Sequence, residues 1–110
     1  MDAFELSGLQ EERRKHGEPY YEFLRVPSLS GSLYVLASGA TDPQGPHAED
    51  EVYVVIDGEA TIRVSSEDRA VGPGAVIYVA AGVEHRFHSI RRDLTVLVFF
   101  APAEGSVGLA

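Results

Sequence analysis

Cysteine and tryptophan are absent from the chain, and methionine occurs once. Without thiols there is no disulfide framework, no thiolate zinc site and no cysteine nucleophile. Long hydrophobic runs are missing as well. No apolar stretch approaches the roughly 20 residues needed to cross a bilayer, so no membrane partner is expected. Cationic residues are scarce: nine Lys and Arg face seventeen Asp and Glu, for a formal charge of −8. A nucleic-acid binder neutralises phosphates with clustered cations, and this balance repels such a polymer. The two basic clusters, Arg13-Arg14-Lys15 and Arg91-Arg92, have acidic neighbours at Glu11-Glu12 and Asp93 and read as solvated faces. Residues 1–5 lack the basic start and apolar stretch of a secretory signal, so the expected address is cytoplasmic.

What remains is enough for one domain. The 110 residues are 45% hydrophobic and 9% aromatic, which supports a single core and excludes disordered, collagen-like and coiled-coil classes. A short helix is expected within residues 1–19, where Ser7 and Gln10 fit a capping box and Gly17 with Pro19 ends the pattern. From Tyr20 the pattern changes to strands, at 20–26, 32–38, 51–56, 60–64, 75–79, 86–90 and 94–100. These segments are rich in Val, Ile, Tyr and Phe and are separated by Gly, Pro, Asp and Ser. Many short strands without a second helix predict an all-β barrel or sandwich over residues 20–102. The Gly-rich segment 103–110 is expected to be a loose tail. Segments such as Val52-Tyr53-Val54-Val55-Ile56 and Val96-Leu97-Val98-Phe99-Phe100 are apolar at consecutive positions, so both faces need cover. A barrel core covers one face, and the amino-terminal segment or a second copy is needed for the other. A homodimer is therefore expected.

Four histidines are present. His47 precedes Glu51 by four residues as the chain enters a predicted strand, and strand alternation turns His47, Glu49 and Glu51 to one side. His85 follows a turn at Ala81-Gly82. Two imidazoles and one carboxylate form a facial donor set that leaves positions open on a divalent ion. Glu49 reads mainly as a solvated rim carboxylate, with a ligand role as the alternative. Asp50 points the other way. Tyr53 and Val55 share the parity of Glu51, and Phe87 that of His85; they are expected to line the pocket or to pack in the core. His88 should face away from His85. His16 falls at the helix end, where a cation is favourable and no metal role is needed.

These residues carry a resemblance to the cupins. Gly39, His47, Glu51 and Gly58 fall at the spacings of the first cupin motif, and Gly74, Gly82 and His85 at those of the second. The departures are Gly45 where the family has its first histidine, Ala80 for a proline and Ser89 for an asparagine. With the short stretch between its motifs, the chain is similar to small single-domain cupins. The resemblance implies a double-stranded β-helix, a jelly-roll cupin barrel with a short N-terminal helix ahead of it. It also implies a divalent transition metal (Fe, Mn, Ni, Co, Cu or Zn) held by His47, Glu51 and His85. Glu49 or Gln44 is the candidate to fill the place left by Gly45, and loss of the metal is the opposite outcome.

Three functions follow as expectations. The first is a metal-dependent cupin that binds or transforms a small molecule, for instance as a dioxygenase or isomerase. The second is a non-catalytic sensing module, and the third a structural dimer with a vestigial metal site. No serine triad, phosphate-cradling loop or dinucleotide fingerprint supplies a different chemistry.

Overall fold

Each run of β-branched and aromatic residues pairs with a neighbour in a computed structural model that describes residues 1–43 and 45–106. Among the described residues, one helix, α1 (Leu6–His16), precedes six strands: β1 (Tyr20–Val26), β2 (Leu29–Leu36), β3 (Asp50–Val64), β4 (Glu67–Val71), β5 (Val76–Val79) and β6 (His85–Ala101). All strand pairings are antiparallel, in the order β1-β2-β6-β3-β4, with β5 added on β3. No helix among the described residues is long and apolar enough to cross a membrane.

The two long strands organise the fold. Sequence reading divides each into two, at Asp57-Gly58 and between Ile90 and Leu94. In the structure both run through as single strands with irregular register at those points. Along β3 the inward residues are Glu51, Tyr53 and Val55, then Ala60 and Ile62. Along β6 they are His85 and Phe87, then Ile90, Leu94, Val96, Val98 and Phe100. The inward set thus passes from odd to even numbers in both strands, as an extra residue in a pleated strand requires. Gly58 (φ 101°) and Ser89 (φ 51°) take the left-handed backbone that makes these offsets. Consequently β3 pairs through Glu51 with Phe100 at one end and through Val64 with His85 at the other. The sheet folds over on itself into two leaves, with the aromatic and aliphatic core between them.

Other expectations change in detail. The capping box does not form: Glu5 precedes the helix without a side-chain cap, and Ser7 lies inside the first turn. Docking sets the start instead, with Leu9 buried and Phe4 edge-on to Phe23 at 5.0 Å. The other end is as expected, with Gly17 at φ 74° donating its N–H to the Arg13 and Arg14 carbonyls. Strand β2 begins three residues before the predicted 32–38, because a tight turn at Pro27-Ser28 pairs Val26 with Leu29. Strand β4 has no β-rich composition, yet it forms a hairpin with β3 in which Arg63 donates to Asp68 at 2.9 and 2.6 Å. Residues 103–106 are fastened rather than loose: Ala103 is buried, and Glu104 bonds to β1 and β2. Residues 107–110 of the expected tail lie outside the described residues.

Candidate metal centre

Glu51 enters the interior from one leaf and His85 from the other, and the fold-over brings them face to face. His47 joins from the segment before β3, held by the Gly82 N–H, which donates to its carbonyl at 2.7 Å. One nitrogen from each imidazole and one oxygen from the carboxylate all lie within 4.8 Å of one another. The aromatic surroundings are close. The His47 and His85 ring centres are 5.6 Å apart, and Phe100 meets His47 edge-on at 4.7 Å.

The electrostatics of the pair are unusual. His85 Nδ1 lies 2.9 Å from the Val83 carbonyl, which only accepts, so Nδ1 carries the proton and Nε2 of the neutral ring presents a lone pair. That Nε2 lies 2.7 Å from Glu51 Oε1, and both side chains are 1% exposed. Nε2 and both Glu51 oxygens lack a well-aligned hydrogen bond, although Glu51 sits close enough to His85 and Tyr53 to raise the pKa of both. With the ring neutral, the short distance is an approach of two acceptors in a dry environment, which is unfavourable unless positive charge sits among them. A proton on Nε2 meets that demand partly. Burial works to lower the His85 pKa, but the Glu51 carboxylate and the Val83 carbonyl outweigh it and hold the group above the ordinary imidazole value. A divalent ion meets the demand with His47 included. The donor set of two imidazoles and a carboxylate fits such an ion chemically.

Other sequence-predicted residues fall as follows. Tyr53, Val55 and Phe87 belong to the packed core under the cluster, with Tyr53 edge-on to Phe87 at 4.8 Å and 6.0 Å from His85. Burial, then the Glu51 charge, raises the Tyr53 pKa far above the phenol range, so its hydroxyl stays protonated. Glu49 is not a rim carboxylate: it is 3% exposed and stands outside the three-residue cluster. Alternation fails there because β3 starts only at Asp50. Gln44 lies outside the described residues. Asp50 points away and accepts from the Ala81 N–H at 2.9 Å. His88 faces outward and pairs with Asp68 at 2.9 Å, and His16 bonds the Glu12 carbonyl at the helix end.

Two residues that support the site have no local signature. Asp42 is a buried strut. Its carboxylate accepts from the Tyr34 hydroxyl at 2.9 Å and from the Phe87 N–H at 3.0 Å, which pins the loop leading to His47. Glu104 lies 3.9 Å from His47 Nδ1. Two cavities flank the cluster. One of about 390 Å³ is lined by His85 together with Gly45, Arg63 and Arg86. The other, of about 310 Å³, is lined by His47 with Tyr20, Tyr34 and Glu104.

A fold-over β-helix with two imidazoles and a carboxylate inside one end defines a class of small barrel proteins. A family model for the cupin domain matches residues 32–100, and the chain belongs to that family. An uncharacterized protein of Streptomyces coelicolor, SCO3923, is 50% identical over 104 residues, covering 94% of this chain and 99% of that relative. Among solved structures, the DMSP lyase DddQ of Ruegeria pomeroyi superposes with a TM-score of 0.65 at 25% identity. The match covers 69% of this chain but only 39% of the lyase. A cupin family protein of Methanocaldococcus jannaschii with a double-stranded β-helix fold gives a TM-score of 0.69 at 20% identity, covering 76% of this chain and 78% of that one.

Proposed function

We propose that the chain is a divalent-metal cupin that binds or transforms a small molecule at His47, Glu51 and His85. The observation that carries this reading is the buried approach of His85 Nε2 to Glu51 Oε1 at 2.7 Å, with His47 offering a third donor atom within 4.8 Å of both. A closed structural zinc site is disfavoured by the lack of cysteine. When bound, a divalent ion of the Fe, Mn, Ni, Co, Cu or Zn group supplies Lewis acidity and open positions for a ligand's oxygen or nitrogen. The protein's own share is positional. The Val83 carbonyl fixes the His85 tautomer, Gly82 anchors the His47 backbone, and the core excludes water beneath. The two cavities supply space for a small ligand beside each imidazole.

Titration of metal-free protein with Co²⁺ tests the reading: one equivalent is expected to bind, with a visible spectrum of nitrogen and oxygen coordination. Absence of binding overturns it. Gly45 adds a second arm to the experiment. A Cβ at this position meets nothing within 4 Å, and Gly45 shares a cavity with His85. Gly45→His is therefore expected to fold normally and to tighten metal binding about tenfold or more by supplying a fourth donor.

The outer sheet face supports self-association. Tyr78, Val52 and Phe99 form one cross-strand row, and Val76, Val54 and Leu97 the next. Helix α1 packs against β1 and β2, whereas Val76 and Tyr78 at the other end stay 67% and 61% exposed. A second copy laid on this face makes a homodimer. Light scattering is expected to give a dimer mass for wild type and a monomer mass for Tyr78→Asp. A wild-type monomer overturns the dimer.

A further inference from the structure

The two imidazoles of the centre are braced in different ways. His85 is held by the Val83 carbonyl, a backbone group two residues away. His47 has Glu104 Oε2 beside its Nδ1 at 3.9 Å, delivered by the segment that follows β6. That segment is built in. The Glu104 N–H donates to Ser30 Oγ at 2.9 Å, and its carbonyl accepts from Arg25 Nη2 at 2.9 Å. The Glu104 Oε1 accepts from the Tyr20 hydroxyl at 3.0 Å, while the preceding Ala103 is buried and its N–H donates to the Pro27 carbonyl at 3.2 Å. Backbone and one carboxylate oxygen are thus fixed by β1, β2 and their turn, and the other oxygen is directed toward His47.

We propose that Glu104 is a positioning residue of the metal centre: its carboxylate holds His47 with Nδ1–H outward and Nε2 toward Glu51 and His85, and makes that imidazole a stronger donor. This inference rests on the metal-centre reading above. An imidazole that ligates through one nitrogen gains orientation and basicity when the other donates to a carboxylate. An ion bound through Nε2 would withdraw charge from the ring and make Nδ1–H a better donor toward the carboxylate oxygen 3.9 Å away. The brace matters more here because Gly45 offers no side chain as a further donor.

The test is Co²⁺ affinity and visible spectrum for wild type, Glu104→Ala and Glu104→Gln, with the melting temperature of each metal-free protein. Glu104→Ala is expected to weaken binding about 10- to 100-fold and to shift the spectrum. Glu104→Gln keeps an acceptor without the charge, so it recovers the spectrum and most of the affinity, remaining about threefold weaker than wild type. A lower metal-free melting temperature for Glu104→Ala with affinity and spectrum unchanged means that Glu104 only fastens the segment, and overturns the proposal. Should Glu104→Ala not fold, Glu104→Gln decides: affinity identical to wild type overturns the role. Wild type that binds no Co²⁺ overturns instead the metal-centre reading itself.

Discussion

Replacing His85 with alanine is expected to abolish stoichiometric metal binding while the barrel stays folded. The substitution removes one of three donors, leaving a carboxylate and a single imidazole, a pair too weak to retain a divalent ion against buffer. It also removes the imidazole that faces the Glu51 carboxylate at 2.7 Å. The fold tolerates the loss because His85 stands at the first position of β6, at the edge of the core cluster rather than among its members. The cavity beside it lets water reach the exposed carboxylate. Metal analysis after loading and dialysis reads the first claim, and circular dichroism the second. Unchanged metal content in the variant removes His85 from the centre.

Replacing Gly58 with alanine is expected to cost far more stability than any other glycine substitution in the turns around it. A Cβ there collides with the Asp93 carbonyl oxygen and comes within 2.7 Å of Leu94 Cα, both backbone, so no side chain can swing aside. The left-handed φ of 101° adds strain of its own. Together these amount to about 4 kcal/mol, enough to lower the melting temperature by about 20 °C in a chain of this size. Gly74 provides the contrast. Its φ is 91°, yet a Cβ there meets nothing within 4 Å, so Gly74→Ala carries the backbone strain alone, about 1–2 kcal/mol. Thermal unfolding of the two variants side by side separates collision from strain, and equal losses contradict the close backbone approach of β6 to Gly58.

Much of this was readable in residues whose neighbours lie close along the chain. Alternation placed Glu51, Tyr53 and Val55 on one face, and His85 and Phe87 on another, because a strand's side chains obey a period of two without help from the rest of the fold. Motif spacing pointed to the cupin barrel before any pairing was known. The same local logic misled at Glu49, where the strand had not yet begun, and at Asp57-Gly58, where a turn signal proved to be a bulge inside one long strand. It had no purchase on Asp42, whose partners Tyr34 and Phe87 are 8 and 45 residues away. Nor could it find Glu104, which reaches Tyr20 across 84 residues. Pairings of that range are created by the fold-over, and no window of sequence contains both ends. Strand β4 escaped for a different reason: four of its five residues are exposed, and its pairing with β3, the Arg63–Asp68 pair and the single buried Val71 hold it in place.

The folding of β3 and β6 has a mechanical consequence. Because Glu51 and His85 hang from opposite leaves, anything that binds both becomes a further rivet between two surfaces joined by greasy contact, by the Asp42 bridge from Tyr34 to Phe87 and by the continuous strands at their crease. Loading the centre would then stiffen the open end of the barrel while leaving the crease near Gly58 as it was, so occupancy and rigidity rise together at one end of the molecule only.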